Sequence, residues 1–237
     1  MSRSESWVEN ARRQAALEAV KNVRDGSIVG LGSGRTVIHA LAELSRKIKS
    51  EHLEVLCVPS SSQIMLEALK LGLKLTSLHE YPTLDLTLDG ADEVDGKLNL
   101  TKGGGGCLTR EKIVASASKQ YIVIVDENKL VDRLGSKKPI PIEVLPFALP
   151  TVKSKLEERW GRVSLREGSG KLGPVITDNG NYILDLFTGP LDDPWKAEEE
   201  IRSIPGVVEV GLFLGIASKV YVGKKDGSVQ ELVASKI

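Results

Sequence analysis

A run of four glycines behind a lysine is the strongest chemical signal in this sequence. Lys102 precedes Gly103 to Gly106, and Glu111 follows one turn into a predicted helix. Four adjacent glycines carry a large backbone entropy cost, and close approach of backbone amides to a ligand is the commonest reason for such a run. A flexible linker is the alternative, but ordered-looking segments flank this one. The run therefore predicts the centre of an active site.

A second glycine turn joins a predicted strand, 27–31, to a predicted helix. The apolar residues at helical spacing are Val37, Leu41, Leu44 and Ile48. Such a turn directs backbone N–H groups and the positive end of the helix dipole at one point, which suits a phosphate, and Ser33, Arg35 and Thr36 add donors. The turn lacks the ending of a Walker loop and the third glycine of a dinucleotide fingerprint. A tight turn without a ligand remains the alternative.

A cluster of carboxylates follows the alternating segment that begins at Leu84. In open α/β sheets the carboxyl ends of strands are where ligands bind. Asp89 and Asp92 are expected to face one pocket as acid and base or to orient sugar hydroxyls, whereas Glu93 and Asp95 are predicted to be solvated turn residues. A metal loop is the competing idea, but the spacing fits no calcium loop and the three histidines lack ligand spacing. No metal is expected.

Composition narrows the class of protein further. The 237 residues, 41% of them hydrophobic, suit a soluble protein of one large or two modest domains. Thirty-two basic and thirty-two acidic residues cancel, so nucleic acid is not an expected partner. The polar start and the lack of a long apolar run predict neither a signal peptide nor a membrane span. A disulfide scaffold is not expected from Cys57 and Cys107 alone, and Cys107 has no neighbouring histidine to activate it as a nucleophile.

Helices and strands alternate up to about residue 135, which predicts a mostly parallel, Rossmann-like sheet. The expected elements are an N-terminal helix through Trp7 and Ala19, strands at 53–58 and 121–125, and helices at 60–71 and 109–120. The helix at 60–71 is expected to start with a Ser60/Gln63 capping box and to stop at Gly72.

After residue 136 the order becomes βαββαβ, the plan of a ferredoxin-like α+β domain. Its markers are a hairpin signal at Asp178-Asn179-Gly180, a helix start at Asp193-Pro194, and a strand at 207–213. Two final strands, 219–222 and 228–233, are expected to return to the first domain. The predicted division is 1–135 plus 215–237 for a catalytic domain and 136–214 for a smaller domain with a possible oligomerisation role.

Several motifs in register resemble one family. They are Gly32-Ser33-Gly34-Arg35-Thr36, Asp89-Gly90-Ala91-Asp92, Lys102 to Gly106, Thr109-Arg110-Glu111-Lys112, Asp126-Glu127-Asn128-Lys129, Pro139 to Val144, Val175 to Asn181 and Ile204 to Val208. Together these segments are similar to ribose-5-phosphate isomerases of type A, over nearly the whole chain. The resemblance implies interconversion of ribose 5-phosphate and ribulose 5-phosphate in the pentose phosphate pathway, no cofactor, a cytoplasmic location, and a homodimer or homotetramer.

The implied reaction requires a base that moves a proton between two carbons and a group that neutralises the resulting oxyanion. Glu111 matches the family's general base, Lys102 suits the oxyanion stabiliser, and Asp89 or Asp92 is expected to pass hydroxyl protons and assist ring opening. The substrate-binding set is Ser33, Gly34, Arg35, Thr36, Asp89, Gly90, Ala91, Asp92, Lys102, Gly103, Gly104, Gly105 and Lys129, with the phosphate on the first four.

The sequence departs from the family at basic positions. Arg35 replaces a small hydroxyl residue, and Arg12 and Arg13 stand where lysines are usual, so each is a candidate phosphate contact or a solvated side chain. Two other functions compete. In a coenzyme A transferase, Glu111 would attack a thioester. A sugar-phosphate sensor would bind without turnover, although no helix-turn-helix segment precedes the first strand.

Overall fold

The computed structural model describes residues 3–170 and 172–234, with side chains from residue 7 onward. It divides into two compact units. The first unit comprises residues up to 91, 110–130 and the residues from 215 onward; the second comprises 92–109 and 131–214. The sequence-based division differs in assigning 92–109 and 131–135 to the first domain, and its outermost residues, 1–2 and 235–237, lie outside the described residues.

The helices are α1 (Arg3–Val20), α2 (Arg35–Glu51), α3 (Ser62–Lys70), α4 (Leu108–Ser116), α5 (Leu149–Arg159) and α6 (Pro194–Arg202), with short 3₁₀ turns at Glu127–Lys129 and Pro146–Ala148. The strands are β1 (Ile28–Leu31), β2 (Leu56–Pro59), β3 (Lys74–Leu75), β4 (Leu86–Gly90), β5 (Glu93–Val94), β6 (Leu100–Thr101), β7 (Tyr121–Asp126), β8 (Ile140–Val144), β9 (Arg162–Leu165), β10 (Tyr182–Phe187), β11 (Val207–Val210), β12 (Leu212–Phe213), β13 (Lys219–Gly223) and β14 (Val229–Val233).

The first unit is built on a seven-stranded sheet with the order β14-β13-β7-β4-β1-β2-β3. All neighbouring strands are parallel except the pair β13 and β14. The predicted mostly parallel sheet is therefore confirmed, including the return of the last two strands. The strand order reverses between β1 and β4, and a reversal of this kind opens a crevice at the carboxyl ends of those two strands.

Alternation along β1 explains why helices cover both faces of this sheet. Val29 and Leu31 join a core with the apolar faces of α1, α2 and α3. Gly30 points to the opposite face, where a Cβ would lie 2.0 Å from Thr87 Oγ1 and 2.5 Å from a methyl carbon of Val114 in α4. The small residue therefore lets α4 pack directly against the sheet.

The second unit contains a four-stranded antiparallel sheet with the order β11-β8-β10-β9. This is the ferredoxin-like order that the βαββαβ sequence predicts. Alternate residues of β8 and β10, such as Ile142 and Leu184, pack with Leu156 of α5 and Ile201 of α6 in one core. Asp193 caps α6 as predicted, since its side chain accepts a hydrogen bond from the Lys196 N–H.

The opposite face of β8 and β10 includes two carboxylates, Glu143 and Asp185. Glu143 of β8 is fully buried, and its carboxylate accepts hydrogen bonds from the hydroxyls of Thr109 and Thr177 and the side-chain amides of Asn179 and Asn181. A buried carboxylate is stable only when donors surround it in this way. The turn predicted at 178–180 thus serves the buried carboxylate. It lies between β9 and β10, which pair antiparallel, although β9 already ends at Leu165.

Two local predictions are wrong. Glu93 is not a solvated turn residue: it is fully buried in β5, and its carboxylate accepts from the N–H groups of Gly135, Lys137 and Lys138. The N-cap of α3 is Ser61, whose hydroxyl accepts from the Ile64 N–H, so the Ser60/Gln63 capping box does not form. The partners of Glu93 are backbone amides more than 40 residues away, which local spacing does not reveal. The cap of α3 is the serine one position after the predicted one.

None of the helices within the described ranges is long and apolar enough to span a membrane.

Substitution of Gly30 tests the packing of α4 on the sheet. We expect Gly30→Ala to lower the free energy of unfolding by about 1–3 kcal/mol, because the added methyl group overlaps Thr87 and Val114. Gly96→Ala is the matched control, since a Cβ there has no neighbour within 4 Å. Urea titration of both variants measures the difference, and equal stability would contradict the packing argument.

Candidate active site

In the first unit the candidate site lies at the carboxyl ends of β1 and β4. Gly32 continues the pairing of the two strands through its N–H, 2.9 Å from Leu88 O. Gly34 has φ 98° and leaves the start of α2 without a side-chain cap. The first turn of α2 lies beside the end of β4, since a Cβ on Gly90 would lie 3.5 Å from the Cβ of Thr36. This arrangement is the one expected of an anion-binding helix start.

Asp89 is the buried carboxylate at the end of β4, with no exposed surface. Its Oδ1 accepts from the N–H groups of Gly90 at 2.7 Å and Ser33 at 3.3 Å, and its Oδ2 accepts from the Tyr121 hydroxyl at 2.9 Å. A Cβ on Gly32 would lie 1.9 Å from Asp89 Oδ1, so only glycine fits there. The glycine turn and the carboxylate therefore require each other.

Glu111, in the first turn of α4, reaches the same point. Its side chain is 4% exposed, and Oε1 lies 3.2 Å from the Ser33 N–H that also approaches Asp89. The structure thus brings together three residues, Ser33, Asp89 and Glu111, that the sequence predicts to serve one site. The Ser33 N–H, shared by two carboxylates, fixes the position of both.

Tyr121 is a part of this site that sequence reasoning missed. Burial raises the pKa of Tyr121 well above its usual value, and the charges of Asp89 and Glu111 raise it further. The phenol therefore stays protonated and donates to Asp89 at any ordinary pH. Its signal in the sequence is weak, because a tyrosine at the start of a hydrophobic strand is ordinarily read as core.

Two further serines support the turn. The Ser33 hydroxyl lies 2.9 Å from Ser60 Oγ and donates to Ser61 Oγ at 2.7 Å. Ser60 and Ser61 are almost completely buried between β2 and α3. This cluster explains the serines at that helix start better than capping alone does, and it holds Ser33 in place.

The basic residues of the first unit have different surroundings. The Arg12 guanidinium forms a two-bond ion pair with Asp126, with Nε at 3.0 Å and Nη2 at 2.9 Å from Oδ2. Arg13 and Arg35 are exposed, and Lys129 is half-buried in the turn after β7. Arg12 therefore has a carboxylate partner within the unit.

In the second unit, Asp92 holds the glycine run. Its Oδ2 accepts from the Gly104 N–H at 2.8 Å, and a Cβ on Gly104 would lie 2.7 Å from Oδ1. Gly103 has φ 100° and packs against Leu108 and Pro141, while Gly104 and Gly105 are exposed. The run is therefore an ordered loop with two exposed peptides rather than a flexible linker.

Lys102 is buried, with 3% of its surface exposed. Its ammonium group lies 5.6 Å from the centre of the Phe213 ring. The backbone N–H of Lys102 donates to Gly211 O at 2.9 Å. An aromatic face stabilises a partly desolvated cation. The backbone and the side chain of Lys102 are therefore both held by the segment that contains β12.

An arginine and an aspartate that the sequence analysis did not select also contact the glycine run. Arg166 donates through Nη1 to Gly103 O at 2.6 Å and Gly104 O at 3.1 Å, and Asp185 accepts from its Nε at 2.9 Å. An Arg after one strand and an Asp within another carry no motif. Only the sheet register brings them together.

The remaining candidates among the described residues are metal ligands and the two thiols. No group of three His, Cys, Asp or Glu side chains is arranged there to hold a metal ion. Burial raises the pKa of the Cys57 thiol to about 12, so this cysteine is unreactive. Cys107 is half-buried, and its Sγ lies 3.6 Å from Gly105 O.

Comparisons with known proteins identify the family. The family model described as ribose 5-phosphate isomerase A (phosphoriboisomerase A) matches residues 56–227. The ribose-5-phosphate isomerase A of Methanothermobacter thermautotrophicus is 50% identical over 218 residues, which are 92% of this chain and 96% of that protein.

Solved structures match at the same level. The ribose 5-phosphate isomerase A of Methanocaldococcus jannaschii superposes with a TM-score of 0.91 at 45% identity, covering 95% of this chain and 99% of the other. A D-ribose-5-phosphate isomerase in complex with phospho-erythronic acid gives a TM-score of 0.92 at 42% identity, with the same coverage. The family-model match, the relatives and the solved structures together show that the chain belongs to the ribose-5-phosphate isomerase A family.

Proposed function

We propose that this chain interconverts D-ribose 5-phosphate and D-ribulose 5-phosphate through an enediolate, as an aldose-ketose isomerase of the pentose phosphate pathway. The observation that carries the proposal is the placement of Glu111. It is a buried carboxylate fixed by the Ser33 N–H beside a glycine turn suited to a phosphate. A base and a phosphate site on one rigid scaffold are what the reaction requires.

Glu111 acts as the base in this mechanism. It removes the proton from C2 of the open-chain aldose, the electron pair of the broken C–H bond forms the C1–C2 double bond of the enediolate, and the π pair of the C1 carbonyl moves onto O1. Glu111 then returns the proton to C1, while the hydroxyl proton on O2 leaves and O1 gains one, which places the carbonyl at C2. One carboxylate serves both steps because C1 and C2 are neighbours.

The phosphate is assigned to the start of α2. The amides after Gly34, the Thr36 hydroxyl and the dipole of a 17-residue helix favour an anion there. Arg35 is exposed beside these amides, and Lys129 lies in the turn after β7, so both are proposed to add charge. Binding a group remote from the reacting carbons positions those carbons against Glu111.

The two aspartates are proposed to divide their work. Asp89 is fully buried and accepts three hydrogen bonds, so it orients Ser33 and Tyr121 around the base. Asp92 is half-buried, with one hydrogen bond to Gly104, and suits the transfer of substrate hydroxyl protons and ring opening. Lys102 is proposed to neutralise the oxyanion of the enediolate.

The ligand of a related structure supports an enediolate pathway. A D-ribose-5-phosphate isomerase 42% identical to this chain is described in complex with phospho-erythronic acid. That acid keeps a phosphate on a four-carbon chain and ends in a planar carboxylate, whose geometry and charge resemble an enediolate. A transferase in which Glu111 attacks a thioester has no comparable support from the family model and the relatives named above.

Location and assembly are proposed from the family resemblance alone. We propose a cytoplasmic homodimer or homotetramer with a sugar phosphate as its small-molecule partner. Light scattering on the purified protein measures the assembly directly, and a monomer that is fully active would contradict the proposed oligomer.

Turnover in deuterated water tests the function. We expect the EDTA-treated protein to convert ribose 5-phosphate to ribulose 5-phosphate, with solvent deuterium entering only at C1 and C2, because the proton on Glu111 exchanges during the enediolate's lifetime. Proton NMR follows both processes. Binding without product would favour a sensor, and an acyl adduct on Glu111 after incubation with an acyl thioester would favour a transferase.

Removal of the base tests the role of Glu111. We expect Glu111→Gln to lower kcat at least 10²–10⁴-fold, with KM changed only a few-fold, because the amide keeps the shape of the side chain but accepts no proton. Phospho-erythronic acid binding, measured by calorimetry, is expected to persist. Glu18→Gln on the exposed side of α1 is the control. Near-normal turnover by Glu111→Gln would refute the assignment.

A comparison of the two aspartates tests the division of work. We expect Asp89→Asn to lower the free energy of unfolding by about 1–3 kcal/mol, because an amide NH₂ would oppose one of the buried donors. Asp92→Asn is expected to leave stability nearly unchanged and to lower kcat about 10²-fold. Thermal unfolding and steady-state kinetics separate the two effects, and the reverse pattern would exchange the proposed roles.

A further inference from the structure

One guanidinium contacts two successive carbonyl oxygens of the glycine run. Arg166 Nη1 donates to Gly103 O at 2.6 Å and to Gly104 O at 3.1 Å. The other edge of the guanidinium donates to Asp185, through Nε to Oδ2 at 2.9 Å and through Nη2 to Oδ1. This pattern uses the planar, multiple-donor geometry that is particular to arginine.

The contact fixes the orientation of two peptide planes. The carbonyl and N–H of a trans peptide point in opposite directions. With the Gly103 carbonyl on Arg166, the Gly104 N–H points the other way and donates to Asp92 Oδ2 at 2.8 Å. By the same geometry the Gly105 N–H points away from Arg166, on an exposed residue. It therefore presents an oriented donor to a ligand.

The anchor of this contact is rigid. Asp185 lies in the middle of β10, between Leu184 and Leu186, which are buried in the core of the second unit. The backbone of Arg166 is also held, since its N–H donates to Ile183 O at 2.9 Å. The side chains of Arg166 and Asp185 are 15% and 14% exposed, so water screens their charge-assisted hydrogen bonds only weakly.

Glycines need such an anchor more than any other residue. They lose the most conformational freedom on ordering, and this run has no side chains to pack. We propose that Arg166, held by Asp185, is a positioning residue of the isomerase that fixes the peptides from Gly103 to Gly105 in the conformation that meets the substrate. The inference rests on the proposed function, because it assigns Arg166 a part in that reaction.

A positioning role predicts an effect on turnover rather than on substrate affinity. Loss of the guanidinium frees the two peptides to rotate, so the donors and Lys102 spend less time in the reactive geometry, and small misplacements cost up to about 10²-fold in rate. The phosphate is assigned to residues elsewhere in the chain, so KM is expected to change little. Added guanidinium can occupy the vacated position and restore the contact.

The experiment compares Arg166→Met and Arg166→Lys with Arg159→Met. Arg159 forms an ion pair with Glu200 in the same unit, on helices that do not carry the glycine run, and serves as the matched control. We expect Arg166→Met to lower kcat 10- to 100-fold, with KM within about threefold of the wild-type value. Guanidinium at millimolar concentration is expected to raise the kcat of this variant several-fold. Arg166→Lys is expected to fall between Met and wild type, because an ammonium cannot span both carbonyls and Asp185. Arg159→Met is expected to match wild type.

The outcomes separate this inference from the proposed function. An inactive wild-type protein overturns the proposed function itself. An active wild type with kcat for Arg166→Met within twofold of it overturns the positioning role. Both Arg166 variants could instead show a lower Tm and a loss of activity that guanidinium does not restore. That result would assign Arg166 to stability alone and would also overturn the positioning role.

Discussion

The buried carboxylate of Asp89 is the constraint on which the first unit's site depends. A carboxylate without exposed surface must find its donors inside the protein, and this one finds them in the Ser33 and Gly90 amides and the Tyr121 phenol. The turn after β1 must then approach it so closely that only glycine fits at position 32. The conformation that serves Asp89 also uncovers the start of α2 and brings the Ser33 amide to Glu111. One electrostatic requirement thus arranges the base and the phosphate turn together.

The second unit meets a related requirement, the pairing of carboxylates with donors, through side chains. Its four-stranded sheet uses one face for an apolar core and leaves Glu143 and Asp185 on the other. Each of these carboxylates accepts hydrogen bonds from residues outside the sheet, Glu143 from hydroxyls and amides and Asp185 from Arg166. The sheet therefore organises loops through polar contacts, and the glycine run is one of the segments that it holds.

Local signals were sufficient for most of the fold. Two predicted features depend on neighbours within one element, and both were confirmed: the helical spacing of Val37, Leu41 and Leu44 and the cap at Asp193. The βαββαβ order depends on recognising each element in turn, and it was also confirmed. Glu93 and Arg166 were beyond such reasoning, because the amides that surround Glu93 and the glycine carbonyls that meet Arg166 lie more than 40 and 60 residues away. The sequence identifies a charged residue, but only the folded structure shows whether that residue is exposed to solvent or buried among hydrogen-bond donors.

The order of strands in the seven-stranded sheet has a consequence for biosynthesis. β13 pairs in parallel with β7, and Lys219 lies opposite Ile122. β13 also packs closely on α1, because a Cβ on Gly223 of β13 would lie 2.0 Å from the backbone oxygen of Ala11 in α1. The edge of β7 and one side of α1 therefore stay uncovered on the ribosome until residues 219–223 have been made. Residues 131–214 of the second unit are continuous and are complete earlier. Nascent chains halted before β13 would present an apolar strand edge, the kind of surface that chaperones recognise.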